Sequence, residues 1–381
     1  MKNIDTTQSP LQECLPPGEA ISGMRLTRTE LALFLSVLVG YLLIVVCGHW
    51  ARFDVVSSDS IGYLKWSREW WDFDRRELTH LPMYPMFLWL FRTISLGWLD
   101  NGTLLRAASA TCAIGSLLVF THILRRYYPA ARNLGILLFG LYPFVALGPA
   151  YDPRADALAI FCIVGLVFGS LSRKWWFFAL CLAVGLITHK AIWPFLVLLA
   201  VEACFRKKCP PYILALAALP LVIYWAWGLS HGQSLLWLLQ SNYKFEFAAH
   251  SSLPIMDGLI GTLLHQSLWS RFIKGLVVLG LFGVIVGLLT WNIRRGRSSD
   301  SLLYFALLFP VLVLLLILNQ YEIWASVRFS GVISLPLACA IVGNPRMRRF
   351  FESPTIMVGL FLALAISNLA FGVFAMLLYS P

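Results

Sequence analysis

The sequence predicts an all-α polytopic membrane protein with about eleven transmembrane helices and a cytoplasmic N-terminus. Three observations lead there. Hydrophobic residues make up 59% of the 381 positions and charged residues 13%, against roughly 45–50% and about 25% in an ordinary soluble chain. Apolar runs of about 20 residues recur along most of the length, enough for a helix to cross a hydrocarbon core of about 30 Å. The ~10-residue alternation of a membrane barrel is absent.

The net charge of +11 is not a nucleic-acid footprint. The basic residues cluster between the apolar runs, at Arg125/Arg126/Arg132, Arg173/Lys174, Arg206/Lys207/Lys208, Arg294/Arg295/Arg297 and Arg346/Arg348/Arg349. Retention of basic loops on the cytoplasmic side accounts for them. The eight cysteines are scattered and form no CxxC pair, so neither disulfides nor a metal knot is expected.

Residues 1–29 are polar and read as a disordered cytoplasmic tail, and 30–381 as one transmembrane domain. Arg25 and Arg28 precede the first span, Glu30–Gly48. A first outer loop follows over 49–98, with acids interleaved with Tyr63, Trp66, Trp70 and Trp71. Its second part, 81–98, is apolar but short and holds Pro82, Pro85 and Arg92. If it crossed, all five basic clusters would be translocated, which is disfavoured. It is therefore expected as an interfacial or re-entrant helix. The remaining spans are 103–124, 133–150, 154–171, 175–188, 190–205, 211–228, 272–292, 301–318, 328–343 and 355–378, with a second outer loop over 229–271.

This topology gathers Asp54, Asp59, His80, Asp152, Arg154, Asp156, His189, Lys190, Glu322 and Arg328 at the outer boundary. Ionisable groups at membrane depth are functional candidates. Asp59, in SSDSIGYLKW, either starts a helix as a cap or first-turn acid, or acts as a general base on a hydroxyl. Asp54 is the reserve candidate. Arg328 either snorkels beside Glu322 or offers its planar fork to a phosphate. His189-Lys190, in GLITHKAIWPF, is an interface anchor or a second phosphate contact. Arg154 stands between Asp152 and Asp156, either in a local ion pair or as a further cation for phosphate. No HxxxH or HxH spacing occurs, so no metal site is expected. Trp66, Trp70 and Trp71 read as an aromatic belt or as a sugar-stacking platform.

The order of these segments resembles the GT-C superfamily of polyprenyl-phosphate-sugar-dependent glycosyltransferases, which includes protein O-mannosyltransferases, aminoarabinose transferases and GPI mannosyltransferases. The matching residues are Asp59…Tyr63 in the first loop, Leu81-Pro82-Met83-Tyr84-Pro85, LLRAASATCAIGSLLVFTHILRR, YDPRADALAIF, GLITHKAIWPF and VRFSGVISLPL. The resemblance spans most of 30–345. It departs from the family pattern in the serines flanking Asp59 and in lacking a large C-terminal outer domain.

The resemblance implies an inverting enzyme that moves mannose or another sugar from a polyprenyl- or dolichyl-phosphate to a hydroxyl of a glycan, lipid or protein. Asp59 would be the base, and Arg328 would hold the lipid phosphate with Lys190, Arg154 and His189. Tyr63, His80 and Tyr84 would complete the donor site. No cofactor, metal or nucleic acid is implied. The expected location is a bacterial or archaeal plasma membrane, or the endoplasmic reticulum in a eukaryote. A flippase or transporter of lipid-linked sugars, and a non-enzymatic polytopic protein, are the alternatives.

Overall fold

Ser58–Arg68 winds into a helix (α1) with Asp59 as its second residue. Lys65 and Arg68 in its last turn meet the negative end of the helix dipole. The computed structural model describes residues 31–32, 35–36, 39, 58–68, 81–142, 145, 153–205, 207–233, 235, 237–240, 334, 338, 341 and 345–379. Every regular element among them is helical.

α2 (Met83–Ile94) begins after Pro82 and ends where Leu96 and Gly97 both take positive φ, at 51° and 76°. α3 (Asn101–Tyr127) is capped by Asp100, whose carboxylate accepts from the Thr103 amide at 2.9 Å and the Thr103 hydroxyl at 2.6 Å. A single 3-10 turn, Pro129–Ala131, leads into α4 (Arg132–Gly140). α5 (Asp156–Ser172) closes on Arg173 in the left-handed region at φ 54°, with the Lys174 amide donating to the Gly169 carbonyl at 2.9 Å. This reversal feeds directly into α6 (Trp175–Leu186). A tight turn through Thr188 and His189, and a 3-10 turn at Lys190–Ile192, open α7 (Trp193–Phe205). α8 (Pro211–Ser230) carries Pro220 inside it. The short α9 (Trp237–Gln240), then α10 (Pro345–Glu352) and α11 (Pro354–Tyr379), complete the set.

The core lies where α3, α5, α6 and α7 meet. Phe120 stacks on Phe139 with ring centroids 4.0 Å apart, and Ile163, Phe178, Phe195 and Leu196 fill the space between helices. α5 and α6 touch because position 169 has no side chain: a Cβ there would stand 3.0 Å from the backbone N and Cα of Phe178. α8 packs on α6, and α1 lies against α2.

The expectation of about eleven transmembrane helices does not hold among the described residues. Two helices are long and apolar enough to cross a bilayer: Asn101–Tyr127, 27 residues, and Pro211–Ser230, 20 residues. The apolar runs at 154–171, 175–188 and 190–205 instead form α5, α6 and α7, of 17, 12 and 13 residues. At 1.5 Å per residue these span roughly 26, 18 and 20 Å, short of a hydrocarbon core of about 30 Å. The run at 133–150 yields only the nine residues of α4 as helix among those described. The physical reason is that apolar runs suit a protein core as well as they suit lipid, and α5 buries most of its side chains against its neighbours. The GT-C-like architecture is thereby overturned, and with it the multi-pass plasma-membrane placement. The tail 1–29, the span Glu30–Gly48 apart from five helical positions, the first-loop residues 49–57 and 69–80, residues 241–271, the spans 272–292 and 301–318, and the span 328–343 apart from positions 334, 338 and 341 lie outside the described residues.

Candidate functional site

The candidate residues that the structure describes converge where α1, α2, the start of α5 and the α6–α7 turn come together. Two hydrogen bonds to backbone carbonyls make the junction. The Ser60 hydroxyl, in the first turn of α1, donates to the Pro153 carbonyl at 2.8 Å, with Ser60 fully buried. That carbonyl immediately precedes Arg154, so α1 and Arg154 are held side by side. The Met83 amide at the start of α2 donates to the Ile187 carbonyl at 3.0 Å. Ile187 is two residues before His189, so the His189–Lys190 turn is held against the N-terminus of α2.

Between these contacts lies an aromatic and aliphatic wall. Tyr63 meets Tyr84 edge to face, centroids 4.9 Å apart, and meets Trp66 edge to face at 6.3 Å. Leu88, Leu105, Ala155 and Leu158 pack behind them. The Tyr84 hydroxyl is 3.0 Å from the Ser109 Oγ on α3. Tyr63 and Tyr84 are both buried, so their rings build the junction. Arg154, His189 and Lys190, on the segments that meet here, are partly buried.

Asp59 lies one residue before Ser60, in the first turn of α1. Asp54, His80 and Arg328 lie outside the described residues. Arg92, embedded in α2, donates from Nη2 to Asn101 Oδ1 at 3.2 Å. Partial burial, and then the like charge of Arg68, lower its pKa.

Of three buried ionisable groups, sequence reasoning had placed Asp156 at the outer boundary and passed over the other two. Arg106 on α3 is 7% exposed and Asp156 at the start of α5 is 8% exposed. Arg106 had a legible signal, being an arginine inside the apolar run LLRAASATC. The third is Glu202 on α7, 3% exposed, which accepts from the Ser170 hydroxyl at 3.2 Å. Its signal was equally plain: one acid within WPFLVLLAVEACF. Among the described residues, no group of three His, Cys, Asp or Glu side chains is placed to hold a metal.

No family model, curated protein or solved structure matches the chain. The structure defines its class as an all-α assembly, among the described residues, with two helices long and apolar enough to cross a membrane. The assignment as a lipid-phosphate-dependent glycosyltransferase, with Asp59 as catalytic base, rested on the GT-C architecture and falls with it. The flippase or transporter alternative required the same multi-pass architecture and falls for the same reason.

Proposed function

We propose that this chain is a lipid-binding helical protein, with α8 laid against hydrocarbon and the α1–α2–α5 junction holding the phosphate of an anionic lipid. The observation that carries this is the outer face of α8. An 18-residue window of this helix reaches a mean hydropathy of 1.9, yet only 22% of that window is buried within the protein. Tyr212, Leu216, Leu219, Val222 and Ile223 are exposed, and their spacing of three or four residues places them along one side. Contiguous apolar surface of this kind marks a binding face.

Transferring five half-exposed side chains of this size into hydrocarbon gains on the order of 4–7 kcal/mol. That resembles a single acyl anchor, which holds a protein at a bilayer reversibly and requires a second attraction for stable binding. Arg154, Lys190 and His189 supply it. They are partly buried cationic or protonatable groups on neighbouring segments, and an arginine fork suits a phosphate.

Vesicle flotation tests both parts. The full chain should float with zwitterionic vesicles and more strongly with vesicles containing phosphatidic acid. Leu219→Asp with Val222→Asp should abolish recovery with both. Arg154→Gln with Lys190→Gln should remove only the preference for the anionic lipid. A wild-type chain that stays at the bottom of both gradients, or whose α8 face is covered by a second copy in solution, overturns the reading.

A further inference from the structure

The chain leaves α7 and enters α8 through a loop that closes on itself. The amides of Lys207 and Cys209 both donate to the Ala203 carbonyl, at 3.2 and 3.0 Å. Lys208 takes a left-handed φ of 57° to complete the turn. This closure brings Cys204, in the last turn of α7, against Cys209. The Cys204 thiol donates to the Cys209 carbonyl at 3.8 Å, and the Cys209 thiol to the Pro210 carbonyl at 3.7 Å.

The two thiols differ in surroundings. Cys204 is half-buried, whereas Cys209 is 4% exposed. Burial, reinforced by the neighbouring Cys204, pushes the Cys209 thiol up to about 11. The loop between them carries Arg206, Lys207 and Lys208. The other described cysteines, Cys112, Cys162 and Cys181, are buried in the helical core, where a thiol is inert.

We infer that Cys204 and Cys209 form a thiol–disulfide exchange site that accepts a small-molecule disulfide and converts it into a bridge between α7 and α8. Cys204, the accessible member, loses its proton to solvent and attacks one sulfur of the incoming disulfide. The external S–S bond breaks, and one thiolate leaves and takes up a proton. Cys209 then gives up its proton and attacks the Cys204 sulfur of the mixed disulfide, expelling the second thiolate. Two cysteine thiols are oxidised, and one external disulfide is reduced to two thiols. So short a loop yields little chain-entropy stabilisation. The bridge therefore acts locally, fixing the angle at which α8 leaves α7. The assignment is independent of the lipid reading.

The test treats the full chain with oxidised glutathione, quenches with acid, alkylates the remaining thiols and digests with trypsin. Trypsin cuts within Arg206-Lys207-Lys208, so the bridged form appears as two peptides joined through sulfur that separate on reduction. Wild type should show this joined species and lose both thiols from the alkylated pool. Cys209→Ser should stop at a glutathione adduct on Cys204, and Cys204→Ser should carry no adduct on Cys209. The inference is overturned if both wild-type thiols remain alkylatable under conditions that fully convert an exposed cysteine peptide. It is equally overturned if either thiol pairs with a different cysteine. The wild-type arm needs no variant, so a poorly folding substitution leaves the test intact.

Discussion

The Tyr84 hydroxyl lies 3.0 Å from the Ser109 Oγ, bridging α2 to α3 with both residues fully buried. Tyr84→Phe keeps the ring against Tyr63 but withdraws one partner from a buried serine, a loss of about 1–3 kcal/mol. The denaturation midpoint should fall while vesicle binding is retained, because the ring and not the hydroxyl builds the junction. An unchanged midpoint would show that this bond adds nothing to stability.

Ser170→Ala probes the contact between α5 and α7. Its hydroxyl donates to Glu202 Oε2 inside the core, and removing a donor from a buried acid costs about 1–3 kcal/mol. Adding Glu202→Gln to Ser170→Ala should recover part of the loss, since a neutral amide is cheaper to bury than a carboxylate. A double variant less stable than Ser170→Ala alone would refute that ordering.

Gly169→Ala should be disruptive out of proportion to one methyl group. The added Cβ meets the backbone of Phe178 and not a flexible side-chain end, so α5 and α6 must separate. Overpacking of this kind costs about 1–3 kcal/mol. Circular dichroism during thermal unfolding would register it as a lowered Tm with helical content intact at low temperature.

Stability should also fall at alkaline pH through Cys209. Its folded pKa, about 11, lies above the ordinary value of 9.0. The folded state therefore keeps its proton where the unfolded chain has lost it. This contribution is fully present below pH 9.0 and is lost as pH rises towards about 11. Cys209→Ser should flatten the alkaline limb of a stability–pH profile; an identical slope in both proteins would exclude Cys209 as its source.

Helix formation was largely legible from residue pattern, and its context was not. Asp100 and Thr103 announce the start of α3, and Pro210-Pro211 announces α8. Both helices reach spanning length, as their unbroken apolar runs suggested. The runs over 154–205 looked the same in sequence, but the turns at Arg173-Lys174 and Thr188-His189 cut them into short helices that bury one another. Hydropathy measures a preference for leaving water and is silent on whether lipid or another helix receives the side chain. Within the junction, Arg154, His189 and Lys190 were visible as charges in turns. The serines that position the junction, Ser60 and Ser109, were not, because their partners are a distant carbonyl at Pro153 and a tyrosine on another helix.

The left-handed Arg173 that joins α5 to α6 also bears on the order of assembly. A reversal completed in two residues places the two helices of that hairpin in contact across a short stretch of chain. Contacts so local in sequence close at small entropic cost and form early. The α5–α6 hairpin should therefore be the template on which the chain collapses. α3, made earlier, would then fold back onto one side, and α8, made later, would dock on the other. Amide hydrogens of α5 and α6 should accordingly be the first to gain protection during refolding, ahead of those in α8.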